Sequence, residues 1–504
     1  NRSIGGGGRK PSVGETANSG AAVNSEDSVR QSIHHKTLAL NNGTDAWERF
    51  VKLPVPLYFG IYFFNLVNLE AVLQGEKPIV KEVGPWVYKE TRAKFNIELD
   101  DEKDTVKYQQ KQFFEFDAEA SKPLTEDDYV QPANIIPQIV NTIAERAPNL
   151  AWLNEVLELG FPEVLRENYG LRLNRTVNEI LFSGITTHCP PNATLAGLTI
   201  CSVLRHFPGI RSLAKYPNGD MNVGVLRFRN DSLSETFEIY RGNKDFNKIG
   251  QIVSVNGQPS VTNWFGEACN KVAGSYDESL LQPFLTRDSF LNVYGSDLCT
   301  TTPMSVESTT SFKGIDCLKF TPNERFLGSV VDFPENYCYC PGSIEKITLG
   351  QSCMRTGAME FAACQAVPVV LTFPHFYKAS RYYQNAVDGL SPDSDTHQSY
   401  VSLEPTTGIP INGAKRIQIN FQLKGTPAMK MTGKARDLLM PFLWIDEKVE
   451  LGDDQLSMIK DTLLKMLKIA NIAQWVLIAI GILMVLVGSI MSFISARREH
   501  GHPD

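Results

Sequence analysis

A long uncharged segment near the carboxyl end sets the compartment of this chain. No charged side chain occurs between Ile469 and Ala496, and residues 475–494 are almost wholly apolar. A helix of these 28 residues would be about 42 Å long, which exceeds the roughly 30 Å of hydrocarbon in a bilayer. Trp475 lies near one end of the segment, where an indole ring favours the headgroup boundary. The sequence therefore predicts a transmembrane helix over residues 469–496.

Glycosylation sequons and cysteines indicate which side of the membrane the larger part occupies. All nine cysteines precede the apolar segment, as in a protein of an oxidising compartment. Four acceptor sequons also precede it, at Asn42, Asn174, Asn192 and Asn230. We therefore expect a protein of the cell membrane with a glycosylated, disulfide-bonded extracellular domain over residues 44–468 and a cytoplasmic tail over residues 497–504.

The amino-terminal segment supplies no signal for crossing the membrane. Residues 1–35 include Gly5–Gly8 and contain no aromatic residue and no apolar run. This composition predicts disorder over residues 1–43. An extracellular domain needs a signal peptide or an upstream anchor, so we interpret the segment as a fragment end or an alternative exon that stands in place of an N-terminal anchor. A soluble tail with its own function is the other interpretation.

The cysteines carry the strongest covalent signal. They are Cys189, Cys201, Cys269, Cys299, Cys317, Cys338, Cys340, Cys353 and Cys364. A zinc site needs paired cysteine motifs at matched spacing with histidines nearby, and only Cys338-Tyr-Cys340 approaches that form. We therefore predict disulfides and no metal site. Spacing does not give the connectivity, and the odd count leaves one thiol unpaired.

Periodicity predicts a mixed fold that is mostly β. Residues 416–423 alternate strictly between polar and apolar, and residues 369–373 form an apolar run between two prolines, so each predicts a strand. Residues 134–182 contain three apolar stripes at helical spacing. Pro148 and Gly160-Phe161-Pro162 interrupt them, which predicts short packed helices.

Charge and motifs exclude several function classes. The net charge of −7 argues against a nucleic-acid partner. The chain has no G-x-S-x-G elbow, no H-E-x-x-H and no P-loop, so we expect no enzyme, no catalytic residue and no cofactor. Asp388, Asp393 and Asp395 do not have the spacing of a calcium loop. His375 lies in a proline-flanked apolar run, and we interpret it as structural.

An ordered series of motifs resembles the class B scavenger receptor family. The motifs are Ile61–Asn68, Glu82–Tyr88, Asn336–Cys340, Phe373–Phe376, Asp388–Pro392, Glu404–Gly408 and Ala414–Arg416. Trp86 departs from the family pattern, which usually has tyrosine there. An additional cysteine pair, Cys189 and Cys201, is similar to that of the insect sensory neuron membrane proteins within this family. Members of the haemocyte phagocytic or carotenoid-uptake type are the alternatives.

The resemblance implies a fold and a pairing of cysteines. It implies an α+β fold with a mostly antiparallel, β-barrel-like extracellular domain that encloses a tunnel, and a small apical helical bundle over residues 134–182. The implied disulfides are Cys269–Cys338, Cys299–Cys364, Cys340–Cys353 and Cys189–Cys201. Cys317 has no counterpart, so it is a buried inert thiol, a reactive thiol, or a sign that the pairing differs.

The resemblance also implies a function. A member of this family would capture a hydrophobic, lipid-like ligand, here a pheromone or odorant, and pass it through the tunnel to the membrane or to a partner odorant receptor channel. The ligand would enter near the helical bundle, at Arg146, Arg166, Arg172 and Arg175. Glutamates are interspersed among these arginines, which favours a neutral ligand, although a solvated helix face has the same composition. The alternative is a scavenger, phagocytic or lipid-uptake receptor for lipoproteins, carotenoids or anionic lipid surfaces.

Overall fold

The computed structural model describes residues 38–146, 153–206, 211–340, 353–426 and 429–499. Eighteen strands occur in these ranges. They are β1 Leu57–Leu66, β2 Val80–Asp100, β3 Thr105–Phe116, β4 Tyr129–Val130, β5 Arg175–Thr176, β6 Ile185–Thr187, β7 Leu213–Lys215, β8 Met221–Val223, β9 Phe237–Tyr240, β10 Ile252–Val255, β11 Phe290–Gly295, β12 Thr300–Phe312, β13 Ile315–Pro322, β14 Ala358–Glu360, β15 Val369–Thr372, β16 Tyr400–Leu403, β17 Pro410–Leu423 and β18 Leu438–Glu450.

Helices occupy the connections between strands and the carboxyl end. The α-helices in the described ranges are α1 Asp45–Val51, α2 Leu69–Leu73, α3 Ile135–Arg146, α4 Leu153–Leu165, α5 Leu195–His206, α6 Ala362–Gln365, α7 Arg381–Gln384, α8 Ser394–His397, α9 Asp453–Met458 and α10 Lys465–Glu499. Short 3-10 turns cover Arg166–Asn168, Phe246–Lys248, Pro334–Tyr339 and Pro374–Phe376, and π-helical turns cover Glu179–Ser183 and Ile459–Leu464.

One antiparallel sheet of thirteen strands organises the molecule. Its main path runs β10-β9-β3-β2-β1-β18-β17-β16-β13-β12-β11, and β14 and β15 attach beside β17. β1 lies next to the central strand β18 of this path, and most of its side chains on both faces are buried. The predicted strands over residues 416–423 and 369–373 are confirmed as parts of β17 and β15, which pair with each other from Val369↔Phe421 to Thr372↔Gln418.

The sheet curls, but its strands do not close into a barrel. The end strands β10 and β11 do not pair with each other. Instead, the segment around Tyr276 makes single bridges to Gln251 and to Val293, beside the two end strands. The amide of Ile252 donates to the carbonyl of Ser275 at 2.7 Å, and the amide of Tyr276 donates to the carbonyl of Asn292 at 2.8 Å. The barrel-like prediction therefore holds only as a curled antiparallel sheet.

Three helices pack together beside the sheet, and they differ from the predicted set. Gly160-Phe161-Pro162 lies inside α4 and does not separate two helices. Phe161 is fully buried, so the packing of its apolar stripe outweighs the local break. The stripe at residues 177–181 is helical but short: it follows β5 directly and runs into the π-helical turn Glu179–Ser183, so it does not form a separate α-helix of the bundle. The third helix is α5, which packs on α4. Pro148 lies outside the described residues.

The amino-terminal end of the described chain is packed into the domain, whereas the carboxyl-terminal helix is exposed. The predicted disordered segment covers residues 1–43, of which residues 1–37 lie outside the described residues. Leu38 and Leu40 are buried. The amide of Leu40 donates to the carbonyl of Arg241 at 3.0 Å. Residues 38–43 therefore belong to the folded domain. At the carboxyl end, Ile472–Ile494 within α10 is long and apolar enough to cross a membrane, and none of it is buried.

Candidate functional site

A large cavity lies within the curl of the sheet. Its volume is about 860 Å³, within the range of about 300–1,000 Å³ that is usual for ligand cavities. Apolar side chains from several elements make up most of its lining, including Leu57 of β1, Leu281, Met304 of β12 and Phe326. The sheet thus encloses a space of the size and lining that suit an apolar ligand.

The cavity reaches the part of the domain from which the apolar helix emerges. Val449 of β18 and Leu451 line it, and Leu451 lies two residues before α9, which leads into α10. Leu53 and Val55, which precede β1, line it as well. A ligand in this cavity is therefore next to the segment that joins the domain to its membrane helix.

Six charged residues on the cavity lining contact one another, and we call them the charged wall. They are Arg92, Arg229, Glu278, Asp297, Lys415 and Glu447. Arg92 lies at the centre of the set. Its guanidinium contacts Glu278 at 3.0 Å, and it also contacts Glu447 and, behind the wall, Glu90 at 2.7 Å. The wall is thus an ion-pair network in which Arg92, Arg229 and Glu447 are buried and the other three members are more exposed.

The other contacts of the charged wall involve Lys415 and Arg229. Nζ of Lys415 lies 2.7 Å from Oε1 of Glu278 and 3.5 Å from Oδ2 of Asp297. Arg229 Nη2 lies 3.0 Å from Oδ2 of Asp297, and Arg229 Nε donates to Gln112 at 3.1 Å. Asp297 therefore bridges two cations.

Charge pairing, and not burial, sets the ionisation of this wall. Burial alone would raise the pKa of Asp297, but Arg229 and Lys415 outweigh it and lower the pKa to about 2. Burial would likewise raise the pKa of Glu447, and the nearby Arg92 and Lys415 lower it. For Glu90 burial prevails over Arg92 and raises the pKa. Asp297 and Glu447 are therefore charged at neutral pH.

A second cluster, Glu82, His375 and His397, has the residue types of a metal site but not the right protonation. The amide of Ser391 donates to Nδ1 of His375 at 3.1 Å, and the amide of Asp393 donates to Nδ1 of His397 at 2.9 Å. Because each Nδ1 accepts a hydrogen bond, each neutral ring carries its proton on Nε2. His375 Nε2 then donates to Glu82 at 2.5 Å. The cluster is a hydrogen-bonded group, and these Nε2 atoms have no lone pair for a cation.

Comparisons with known proteins agree with this architecture. A profile described as the CD36 family matches residues 18–492. The chain belongs to the CD36 family. It is 31% identical to sensory neuron membrane protein 2 of Anopheles gambiae over 94% of this chain and 90% of that protein. It is 31% identical to sensory neuron membrane protein 2 of Aedes aegypti, over 92% and 94% of the two chains.

A vertebrate receptor is also similar. The chain is 29% identical to scavenger receptor class B member 1 of Rattus norvegicus, over 90% of this chain and 82% of that receptor. The resemblance to class B scavenger receptors is therefore confirmed. This CD36-family chain is a scavenger-receptor-like membrane receptor with a large ectodomain, and α10 is its helix of membrane-spanning kind.

Four disulfides lie between Cys189 and Cys364 in the described part of this CD36-family chain. The bonds are Cys189–Cys201, Cys269–Cys338, Cys299–Cys364 and Cys340–Cys353, the pairs that the family resemblance implies. Cys317 is buried and unpaired among the described residues. Burial raises the pKa of its thiol to about 11, so the reactive thiolate is scarce at neutral pH. This geometry favours the inert interpretation of Cys317.

Three of the four arginines expected where a ligand enters, Arg166, Arg172 and Arg175, are not part of the cavity lining. Arg166 is exposed, beside the end of α4. Arg172 donates to the carbonyl of Leu66 at 3.5 Å, and Arg175 donates to Asn168 at 2.5 Å and contacts Glu167. Arg146 ends α3, and its side chain lies outside the described part. Their role in ligand capture stays a prediction.

The four sequons are compatible with glycans. Asn42, Asn174, Asn192 and Asn230 are all exposed. Asn230 accepts a hydrogen bond from the amide of Phe114 at 3.2 Å, and Asn174 accepts one from Gln131 at 3.3 Å. Glycosylation at these positions stays a prediction.

Sequence reasoning missed the charged wall. Glu90, Arg92 and Lys94 alternate along β2, a pattern that is typical of a solvated strand face. In the structure this face points into the curl and all three residues are buried. The signal that could have indicated the charged wall is this alternation of charges on a strand of an ectodomain that is expected to enclose a tunnel.

Proposed function

We propose that this protein captures a hydrophobic, lipid-like ligand outside the cell and passes it through the cavity to the membrane. One observation carries the proposal: an apolar cavity of about 860 Å³ extends to Leu451, beside the membrane-helix junction. An apolar ligand gains about 25 cal/mol for each Å² withdrawn from water. Partition therefore drives uptake, and no covalent step is needed.

The ligand we favour is a neutral pheromone or odorant, which the protein would deliver to an odorant receptor channel in the same membrane. The names of the similar insect proteins refer to sensory neurons. Arg146, Arg166, Arg172 and Arg175, on or next to the packed helices, would form the surface where the ligand first binds. From there it would move into the cavity within the sheet.

The second candidate is a scavenger or lipid-uptake receptor that binds lipoproteins, carotenoids or anionic lipid surfaces. Leu159 of α4 is 74% exposed and Leu195 of α5 is 82% exposed. Two such leucines on adjacent helices favour contact with an apolar surface. Replacing both with serine would abolish surface binding in this case, while filling the cavity would have no effect.

The test is native mass spectrometry of the full glycosylated chain, released from detergent after incubation with hexadecyl acetate. Val293 of β11 lines the cavity and is only partly buried, so Val293→Trp places a bulky ring in the space. Val331 is 86% exposed, so Val331→Trp is the matched control. We expect a stoichiometric ligand on the parent and on the control, and a reduced amount on Val293→Trp. Absence of ligand from the folded parent would refute transfer through the cavity.

A further inference from the structure

Lys94 of β2 carries a buried amine that the proposed function does not use. The residue is 5% exposed, and its Nζ lies 4.2 Å from the ring centre of Phe50 and 4.9 Å from that of Tyr108. Nζ donates a hydrogen bond to Oγ of Ser279 at 3.1 Å. No carboxylate in the described part of the chain lies within ion-pair distance of this Nζ. Lysines are almost never fully buried unless they are paired with an acid, so charge pairing does not explain Lys94.

The surroundings of Lys94 favour the neutral amine, which is the nucleophilic form. Burial lowers the pKa of its ammonium group from 10.5 to about 8, against the effect of Asp277 and together with that of Arg92. At pH 7 the neutral fraction is therefore on the order of 300 times that of a solvated lysine. Desolvation and a neighbouring cation are the usual means by which proteins activate a lysine for attack on a carbonyl group.

Lys415, which lines the cavity itself, is the contrasting case. Burial would lower the pKa of Lys415, but Glu278 and Glu447 outweigh it and raise the pKa. The ammonium group of Lys415 therefore keeps its proton and lacks the lone pair that an attack requires. Of these two amines, Lys94 is the nucleophile at neutral pH.

A single layer of side chains separates Nζ of Lys94 from the cavity. Phe50, Tyr108, Asp277 and Ser279 all line the cavity, and Nζ contacts three of them. Phe50 belongs to α1, a helix of seven residues outside the sheet. A turn of the Phe50 ring would therefore open Nζ to the cavity without moving any strand.

A hydrogen-bonded path leads from this amine to a carboxylate. Oγ of Ser279 accepts from Nζ and itself donates to Oδ2 of Asp277 at 2.6 Å. The hydroxyl of Tyr108 donates to the same carboxylate oxygen and holds it in place. The ammonium group can thus give a proton to Ser279, whose own proton passes to Asp277. The path removes the proton that must leave before Nζ can attack a carbonyl carbon.

We propose that Lys94 is a site of reversible covalent modification, at which its amine forms an imine with an aldehyde that has entered the cavity. Neutral Nζ attacks the carbonyl carbon, and a C–N bond forms while the carbonyl oxygen takes up a proton from the nitrogen. The C–O bond of this carbinolamine then breaks, and the oxygen leaves as water with the second proton of the nitrogen. One amine and one aldehyde give one imine and one water, with no oxidant or reductant.

The imine would retain an aldehyde for longer than an alcohol of the same chain length, and hydrolysis would release the aldehyde unchanged. This inference rests on the proposed function, since the aldehyde must first reach the cavity.

Reductive trapping tests the site. The full chain in detergent is incubated at about pH 7 with hexadecanal and sodium cyanoborohydride, which reduces an imine to a stable secondary amine. Peptide mapping by mass spectrometry then locates the hexadecyl groups. We expect a yield at Lys94 at least about tenfold above that at Lys415 and at exposed lysines such as Lys122. Equal yields at Lys94 and at exposed lysines would overturn the inference.

Lys94→Met removes the amine and also a buried charge, so the variant should fold. It should lose most of the total adduct and leave the labelling of exposed lysines as in the parent. Lys122→Arg removes an exposed amine outside the cavity and should leave the yield at Lys94 unchanged. An unchanged total adduct in Lys94→Met would refute the site.

Ser279→Ala tests the path for the proton. It should slow trapping about tenfold at pH 7 and much less at about pH 9.5, where the amine is already neutral. A change in packing alone would not give this dependence on pH. Equal rates for the variant and the parent at both pH values would overturn the role of Ser279.

Hexadecanol, which cannot form an imine, separates this inference from the proposed function. Native mass spectrometry should show hexadecanol on the parent and on Lys94→Met. If hexadecanol binds but hexadecanal leaves no adduct at Lys94, the imine is refuted and the proposed function stands. If neither compound binds the parent, the proposed function fails and the inference fails with it.

Discussion

Lys415 of β17 donates to Glu278, 137 residues earlier in the chain, at 2.7 Å. Glu278 follows Tyr276 by two residues, and Tyr276 bridges the two ends of the curled sheet. This ion pair therefore ties the middle of the sheet to the segment that spans its gap. Glu278 is exposed and Lys415 is partly buried, but Lys415 also lies 3.8 Å from the buried carboxylate of Glu447. Removing Lys415 leaves that buried charge less compensated.

Lys415→Met should consequently destabilise the fold by about 1–2 kcal/mol, which is between the effects of exposed and buried pairs. The exposed pair Lys77–Asp388 provides the control, because surface pairs contribute about 0–1 kcal/mol. Thermal unfolding of the two variants, Lys415→Met and Lys77→Met, followed by tryptophan fluorescence in detergent, makes the comparison. Equal melting temperatures would show that the wall does not hold the sheet together.

Lys94 should make stability depend on pH in the alkaline range. Burial lowers the pKa of its ammonium group from 10.5 to about 8, while its Nζ donates to Ser279 at 3.1 Å. Because the unfolded chain binds this proton more tightly, Lys94 opposes folding below pH 8 and ceases to do so as the pH rises towards 10.5. Lys94→Met should therefore stabilise the protein by on the order of 2 kcal/mol near neutral pH. The gain in melting temperature should fade at alkaline pH, and a gain that is independent of pH would contradict this cause.

His397 should make the stability of the fold depend on pH in the acid range. Burial first, and then the neighbouring His375, lower its pKa from 6.5 to about 4. The folded protein keeps this ring neutral while the unfolded chain protonates, so stability is lost as the pH falls from 6.5 towards 4. His397→Asn retains an acceptor for the amide of Asp393 and cannot titrate. Its melting temperature should fall less between these pH values than that of the parent, by the equivalent of about 2 kcal/mol. Parallel pH curves for the two proteins would exclude His397 as the cause.

Gly160→Ala should destabilise the protein, whereas alanine in place of glycine usually stabilises a helix. It lies within α4, where a Cβ would come within 2.7 Å of the backbone of Ala196 in α5. Glycine to alanine inside a helix normally stabilises by about 1 kcal/mol, but here overpacking should cost about 1–3 kcal/mol. Gly481 of α10 has open space around it, so Gly481→Ala is the control. A higher melting temperature for Gly160→Ala would show that the two helices are not in close contact.

Elements with strong local patterns were predictable from the sequence. The alternation over residues 416–423 gave the core of β17, and the uncharged segment gave most of α10, because each pattern is contained within one element. The break expected at Gly160-Phe161-Pro162 was wrong because the contact between α4 and α5 outweighs local propensity. The disulfide pairs could be expected only from the family resemblance, since spacing leaves many connectivities open.

The charged wall was not predictable in the same way. Arg92 meets Glu278 from 186 residues away and Glu447 from 355 residues away. A local sequence pattern does not indicate ion-pair partners at such separations, and alternating charges on a strand such as β2 usually indicate a solvated face. The bridges made by Tyr276 were not predictable either, because they depend on how the two ends of the sheet approach one loop residue.

The most direct test of the central claim is photo-crosslinking of the full chain in lipid nanodiscs with a hexadecyl acetate that carries a diazirine in its chain. Peptide mapping by mass spectrometry then locates the adducts. We predict labelling of cavity residues such as Leu281, Val293 and Met304, and weaker labelling in Val293→Trp. Adducts confined to the exposed faces of α4 and α5 would contradict it and would favour binding at the surface.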